Sequence, residues 1–269
     1  MSDPDKQALA DLFSGTSPTH DAVGGLFAHF GSLLVERAQL SPGHRVLDVA
    51  AGTGASLVPA ARRVGSSGHV IGLDLAPGMV DRLRDVLGQH RIQNAEALVG
   101  DAESLPFQDE HFDAVLCGFG LFFFPDPDRA LAEMRRVLRP GGVLAVSTFT
   151  RTGSDSMDAI WGLLAAFVPV PTPAERERRF DEPGRLLNAL SRAGFEEADV
   201  EPSPFELVFP DIDTWFSWLR SMEFGQHLAR MTPTMLRQFR QSASIKFSAR
   251  PDGSEIRLRM DAYFTIGRK

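Results

Sequence analysis

The chain has 269 residues, 43% of them hydrophobic and 23% charged, with a formal net charge of −7. That length suits one large α/β domain, or a core domain with a modest cap, and the negative balance argues against a polyanion-binding surface, so nucleic acid is not an expected partner. No apolar stretch reaches the roughly 20 residues that span a bilayer, the polar start lacks a signal core, and the lone cysteine, Cys117, cannot form an internal disulfide; no membrane insertion and a reducing, cytoplasmic setting are expected.

Residues 1–40 read as a helical cover, with Leu9, Leu12, Phe13 and Phe27 apolar and Leu33, Leu34 and Val35 continuing an amphipathic helix to the breaker Ser41-Pro42-Gly43. Phe30 is left out of that stripe, because Ala28, His29 and Gly31 around it suggest the end of a turn. A strand over 45–50, a glycine turn and a helix over 57–64 follow. Then come strand 69–74, helix 77–89, strand 95–99, strand 113–118, helix 127–138 and strand 143–148. Alternation of this kind makes right-handed βαβ units, hence a parallel sheet with helices on both faces. An irregular insert is expected over 151–180, where Arg176, Arg178 and Arg179 alternate with Glu175 and Glu177 as a solvated helix face. Helix 183–193 precedes two late strands, 198–209 and 255–266, with a helical, aromatic stretch over 211–248 between them. The expected fold is therefore α/β, a doubly wound, mostly parallel seven-stranded sheet over 41–269, with lid insertions at about 151–180 and 211–248. Ligands of such sheets bind outside the carboxyl ends of the strands.

The strongest local feature is the run from Val46 to Gly54, a buried strand entering a glycine-rich turn and then a helix. Gly52 and Gly54 lack a Cβ, so the turn can be tight and a ligand can lie against the backbone. The helix N-terminus then offers free N–H groups to an anion such as a carboxylate. Alone, such a turn fits any doubly wound protein. Asp74 ends the second strand 20 residues after Gly54; an acid there can accept from both hydroxyls of an adenosine ribose. It can also cap the helix ahead of Pro77, and one carboxylate can do both. Asp101, at the end of the third strand, can accept from the exocyclic amine of adenine. Together these strand ends describe an adenosine with a carboxylate-bearing tail.

Asp48-Val-Ala-Ala-Gly52-Thr53-Gly54, Gly72-Leu-Asp74, Gly100-Asp101-Ala102, Phe112-Asp113-Ala-Val and Leu138-Arg-Pro-Gly-Gly142 resemble, in order and spacing, successive motifs of class I S-adenosylmethionine-dependent methyltransferases. The resemblance is to the ubiquinone/menaquinone C-methyltransferase-like subgroup and covers about residues 40–150. It implies a Rossmann-like fold with S-adenosylmethionine as cofactor. It implies that Thr53 and the glycine turn hold the methionine part, that Asp74 binds ribose, that Asp101 and Ala102 bind adenine, and that Gly118 lies near the methionine end. Asp48, Ala50, Leu75, Met79 and Phe119 complete the implied site. One departure is Ala50, which stands where the broader family has its first glycine; a small residue suffices there. A nicotinamide dehydrogenase would want glycine three positions after Gly54, where this chain has Leu57, and gives Asp101 no role. A protein that binds S-adenosylmethionine and catalyses a non-methylating rearrangement is the alternative.

Methyl transfer needs alignment of a nucleophile with the methyl group and exclusion of water. A base is needed only when the nucleophile must lose a proton. His20, beside Asp21, is the candidate catalytic base; its plainer reading is a surface or helix-capping pair, and relatives often carry Tyr-Asp at that place. His227 is a second candidate. His44, His69 and His111 sit at strand starts, the wrong end of the sheet, and Cys117 reads as a packed residue rather than a nucleophile. No metal-ligand spacing is present. Trp161, Phe167, Trp215, Phe216, Trp218, Met222 and Phe224 in the lid regions, with Phe122, Phe123 and Phe124 after the fourth strand, suggest an apolar pocket for an aromatic, polyketide-like or isoprenoid small molecule. C- or O-methylation follows from the resemblance, and a homodimer is compatible with the sequence.

Overall fold

In the computed structural model, which describes residues 4–16, 25–170, 177–222, 224–248 and 255–269, the apolar runs become β1 (Arg45–Val49), β2 (His69–Asp74), β3 (Ala95–Val99), β4 (Phe112–Gly118) and β5 (Leu138–Phe149). The later strands are β6 (Glu196–Ser203), β7 (Glu206–Phe209), β8 (Ile256–Arg259) and β9 (Ala262–Arg268). The main sheet has seven strands in the order β3-β2-β1-β4-β5-β9-β6. Only β9 runs against its neighbours, and the pairs among β1 to β5 are parallel. The chain goes outward from β1 to β3 on one side and from β4 onward on the other. That reversal opens a crevice at the carboxyl ends of β1 and β4.

The helices are α1 (Pro4–Thr16), α2 (Leu26–Arg37), α3 (Leu57–Val64), α4 (Pro77–Gln89), α5 (Pro127–Val137), α6 (Arg151–Ala165), α7 (Pro183–Arg192), α8 (Ile212–Ser221), α9 (Gly225–Leu228) and α10 (Pro233–Phe247). Helix α5 shows the local logic. Asp126 caps it by accepting from the Arg129 N–H at 3.0 Å, Pro127 starts it with no N–H to lose, and Ala130, Leu131, Met134 and Val137 form the stripe buried on the sheet.

Four expectations need correction. Phe30 is fully buried and central, packed on Phe119, Phe205 and Phe264 at 5.3, 5.2 and 5.9 Å. The small residue beside it marks close packing instead of a turn: a Cβ on Gly31 would sit 2.3 Å from the Ala55 carbonyl oxygen, so α2 lies directly on the loop after β1. The 151–180 insert is ordered at its start, since α6 begins behind Thr150, whose hydroxyl accepts from the Gly153 N–H at 3.1 Å. Its arginines are not simply a solvated helix face. Arg178 bridges to Asp155 at 2.9 Å and to Asp158 of α6, while Arg176 lies outside the described residues.

The fourth correction concerns the late strands. Residues 198–209 are two strands that part at Pro204, one in the main sheet and one in a separate two-stranded ribbon with β8. Asp261, mostly buried, holds the corner by accepting from the Phe205 N–H at 3.2 Å. With α6, α8 and α10, this ribbon makes a cap whose interior holds Trp215, Trp218, Phe209 and Phe239, all fully buried. Among the described residues, no helix is long and apolar enough to cross a membrane.

Candidate functional site

The loop after β1 is built on left-handed backbone. Ala50, Gly52 and Gly54 have φ of 56°, 53° and 98°. Glycine adopts this region freely, whereas alanine pays about 1–2 kcal/mol. Ala50 therefore fits by size but not by backbone preference, and its methyl packs where a Cβ on Gly120 would come within 2.5 Å. Gly54 does not line the cavity beside this loop. A Cβ there would lie 2.6 Å from Leu83, so its part is to let the loop turn tightly over α4.

Three carboxylates stand at three successive strand ends. Asp74 accepts from the Gly52 N–H at 2.8 Å through Oδ2 and from the Ala76 N–H at 2.9 Å through Oδ1. It thus braces the glycine loop and the turn into α4 at once, although the N-cap of that helix is Ala76, with no side-chain cap bond. Burial pushes its carboxyl up, and the N–H groups of Ala76, Gly52 and Leu75 work against that. Asp48, on β1, is 1% exposed. Burial, and then the negative charge of Asp74, push it up to about 8, opposed by a bond from the Leu57 N–H; Oδ2 has no hydrogen-bond partner. Asp101 accepts from Lys6 Nζ at 2.7 Å and from the Glu103 N–H at 2.9 Å.

One cavity joins these groups. Asp48, Ala50, Gly52 and Thr53 line it from β1 and its loop, then Asp74, Leu75 and Met79 from β2 and α4, Asp101 and Ala102 from the end of β3, and Gly118 and Phe119 from the end of β4. His20 and Asp21 lie outside the described residues. The other half of the cavity is apolar, walled by Phe27, Phe119, Phe122, Phe123, Phe124 and Phe149, with Met157 and Met222 from the cap. Phe119 holds a left-handed φ of 54° and packs on Phe149 at 4.5 Å. The apolar pocket read from the sequence exists, but of the lid residues named for it only Met222 lines it. Trp161 packs on Phe224 at 4.7 Å and Phe167 on Phe239 at 5.7 Å, inside the cap.

His227 is buried against Trp161 at 5.3 Å and does not line the cavity. Its pKa is lowered by burial and by Arg230. His69 bonds Glu96 at 3.1 Å, and His44 accepts from the Ser41 N–H at 3.3 Å, both at the amino ends of the strands. Burial, with the charge of Asp48 next, pushes the Cys117 thiol up to about 12, so no thiolate is available near neutrality. Sequence reasoning missed Lys6 and Glu103. The signal for Lys6 was its place: it precedes Leu9 and Phe13 on one helical stripe.

A carboxylate with an unpartnered buried oxygen, beside a glycine cradle and a second, half-buried acid, calls for a ligand that carries positive charge. An adenosine with a sulfonium and an ammonium fits that requirement, and an aromatic acceptor fits the phenylalanine wall.

Residues 46–142 match the family model described as a methyltransferase domain. The chain is 37% identical over 144 residues to the aklanonic acid methyltransferase DauC of Streptomyces sp. strain C5, covering 53% of this chain and 66% of that protein. It is 30% identical over 220 residues to the ubiquinone/menaquinone biosynthesis C-methyltransferase UbiE of Idiomarina loihiensis, covering 73% and 86%. The chain spans 66% of the length of the Streptomyces relative, and 57% and 59% of two further relatives. The crystal structure of YcgJ from Bacillus subtilis superimposes with a TM-score of 0.62 at 20% identity, over 90% of this chain and 98% of that one; at that identity the likeness speaks for the Rossmann-like fold alone.

Proposed function

Because the chain belongs to the S-adenosylmethionine-dependent methyltransferases of the ubiquinone/menaquinone-biosynthesis C-methyltransferase kind, we propose that it transfers a methyl group from S-adenosylmethionine to a carbon or oxygen of a small, apolar, aromatic molecule. The observation that carries this reading is the meeting, in one cavity, of Asp48, Asp74 and Asp101 with a wall of phenylalanines. In this reading Asp101 and Ala102 take the adenine, Asp74 the ribose hydroxyls, and Asp48 with Gly52 and Thr53 the methionine end. Leu75 and Met79 flank the adenosine, and Gly118 and Phe119 close the methionine side. Relatives named for ubiquinone/menaquinone biosynthesis and for aklanonic acid support a quinone-like or polyketide-like acceptor. The proposal assigns no role to nucleic acid, in keeping with the net charge of −7.

When bound, the cofactor supplies an activated methyl group. The protein's share is to hold the acceptor in line and exclude water, and the Phe119, Phe122 and Phe149 faces suit both tasks. Acceptors that must first lose a proton need a base. His20 is our proposed base, supported by its place in the sequence between Thr16 and Phe27, both of which line the cavity. His20→Ala should lower kcat for such an acceptor by about 10²–10⁴-fold while leaving the cofactor Kd unchanged; equal turnover removes His20 from the chemistry.

Calorimetry tests the central claim. S-adenosylmethionine and S-adenosylhomocysteine should bind, with no comparable binding of nicotinamide dinucleotides, and mass spectrometry should detect S-adenosylhomocysteine released over a panel of quinone-like and polyketide-like acceptors. The reverse cofactor preference would overturn the reading, and product rearranged without adenosylhomocysteine would replace methyl transfer by the non-methylating alternative.

A further inference from the structure

Helix α1 forms one wall of the cavity. Lys6, Leu9, Ala10, Phe13 and Thr16 line it, at the three- and four-residue steps that put side chains on one helical face. Three points hold the helix down. Phe13 meets Phe123 edge-on at 5.0 Å. Near the helix end, Ser14 accepts from the Gly78 N–H at 3.2 Å, and contact there is close enough that a Cβ on Gly78 would lie 2.8 Å from the Ser14 Cα. The third point is Lys6, whose ammonium bonds Asp101 at 2.7 Å and Glu103 at 2.5 Å.

Lys6 is the one basic side chain among the described residues that line the cavity, against four carboxylates, Asp48, Asp74, Asp101 and Glu103. Its two partners are tied into the frame. The Glu103 side chain is 7% exposed, its second oxygen accepts from the Asp126 N–H at 2.7 Å, and its own N–H bonds Asp101 at 2.9 Å. Burial works against the Lys6 charge, yet the bonds to Asp101 and Glu103 outweigh it and hold the ammonium above its ordinary range. Without Lys6, two neighbouring carboxylates would face each other uncompensated, and one would turn away or take a proton.

We propose that Lys6 is a positioning residue for the cofactor: it fixes Asp101 for reading adenine and, with the same two bonds, latches α1 over the adenosine, so that release requires the Lys6 clamp to open. This rests on the methyltransferase reading above and adds to it a residue that governs cofactor exchange and base discrimination.

The test compares wild type with Lys6→Met, which keeps the apolar stem, and Lys6→Arg, which keeps the charge. Release of S-adenosylhomocysteine is followed by stopped-flow competition, and amide exchange of residues 4–16 is measured in the ligand-free proteins. Lys6→Met should release the ligand roughly tenfold faster, speed exchange in α1, and narrow the preference for the adenosine form over its inosine analogue; Lys6→Arg should restore most of all three. Glu103→Gln should weaken retention in wild type but add little in the Lys6→Met background. Equal release rates and equal α1 exchange in wild type and Lys6→Met would overturn the proposal. So would faster release with the inosine discrimination intact, which would make Lys6 a mere packing element. A wild type that fails to bind S-adenosylhomocysteine would overturn the methyltransferase reading and the release claim with it; α1 exchange in the ligand-free proteins distinguishes that result from failure of the latch.

Discussion

Asp48 sets burial against charge more sharply than its neighbours do. Its carboxyl is pushed up to about 8 by burial and then by Asp74, and Oδ2 is unpartnered. With the folded value above the unfolded one near 4, protonation favours the fold. That stability is complete below about pH 4 and is lost as pH rises through about 8. A cation beside Oδ2 reverses the preference by stabilising the carboxylate. S-adenosylmethionine binding should therefore release a proton at pH values below about 8, where the free carboxyl is protonated. Calorimetric heats should then vary with buffer ionisation enthalpy, and affinity should strengthen with pH up to about 8. Asp48→Asn should bind without that proton; the same proton count in both proteins would take Asp48 out of the site. Asp74 carries a double load, bracing Gly52 and the Ala76 turn ahead of α4. Asp74→Ala should lower Tm and weaken cofactor binding by more than about 1 kcal/mol. A lower Tm with an unchanged Kd would leave it only the structural duty. Asp74 was legible because a residue at a strand end has its position set by the sheet, whereas Asp48 came only with the family resemblance. The strain at Ala50 was not legible, since residue size says nothing about φ.

Helices α2 and α6 show why sequence patterns mislead at the scale of elements. Each carries glycine, and glycine suggests a break, yet the two cases differ physically. Gly31 lets α2 touch the backbone of the loop after β1, with Ala55 O 2.3 Å from where a Cβ would stand. Gly162 lies on the exposed face of α6 with nothing within 4 Å. The same substitution should therefore have opposite signs. Gly162→Ala should stabilise the protein by about 0.5–1 kcal/mol through helix propensity. Gly31→Ala should destabilise it by about 1–3 kcal/mol and weaken cofactor binding, because the loop that must give way is the one we propose to hold the methionine end. Thermal unfolding and calorimetry of the two variants decide it; a stabilised Gly31→Ala would mean that α2 is not seated on the loop. The stripe Met157, Ile160, Trp161 and Leu164 of α6 is buried as a helical period requires, although the segment reads as irregular from sequence.

Across the whole molecule, the alternation of strands and helices over β1 to β5 was legible because each βαβ unit is local and its handedness is fixed. The cap was harder to read, since a strand that leaves one sheet for another at Pro204 keeps its alternating pattern. That the strand-end acids Asp74 and Asp101 would meet in one cavity was legible, but the Lys6 clamp joins residues 95 and 97 positions apart, a pairing that no local pattern encodes. This division has a consequence for ligand response. The groups assigned to the cofactor come from α1 and the ends of β1 to β4, whereas among the described residues over 211–248 only Met222 lines the cavity. The cap holds its own buried cluster around Trp215, Trp218 and Phe239. S-adenosylhomocysteine at a hundred times its Kd adds about 2.7 kcal/mol to global stability, yet local opening is slowed only where the ligand is touched. Amide exchange should therefore slow in α1 and in the loop over 50–56, with local openings of α8 and α10 unchanged until an acceptor fills the phenylalanine chamber and reaches Met157 and Met222. Local exchange in α8 and α10 that slows equally with adenosylhomocysteine alone would show that the cap closes on the cofactor, and the separation of a cofactor half from an acceptor half would fail.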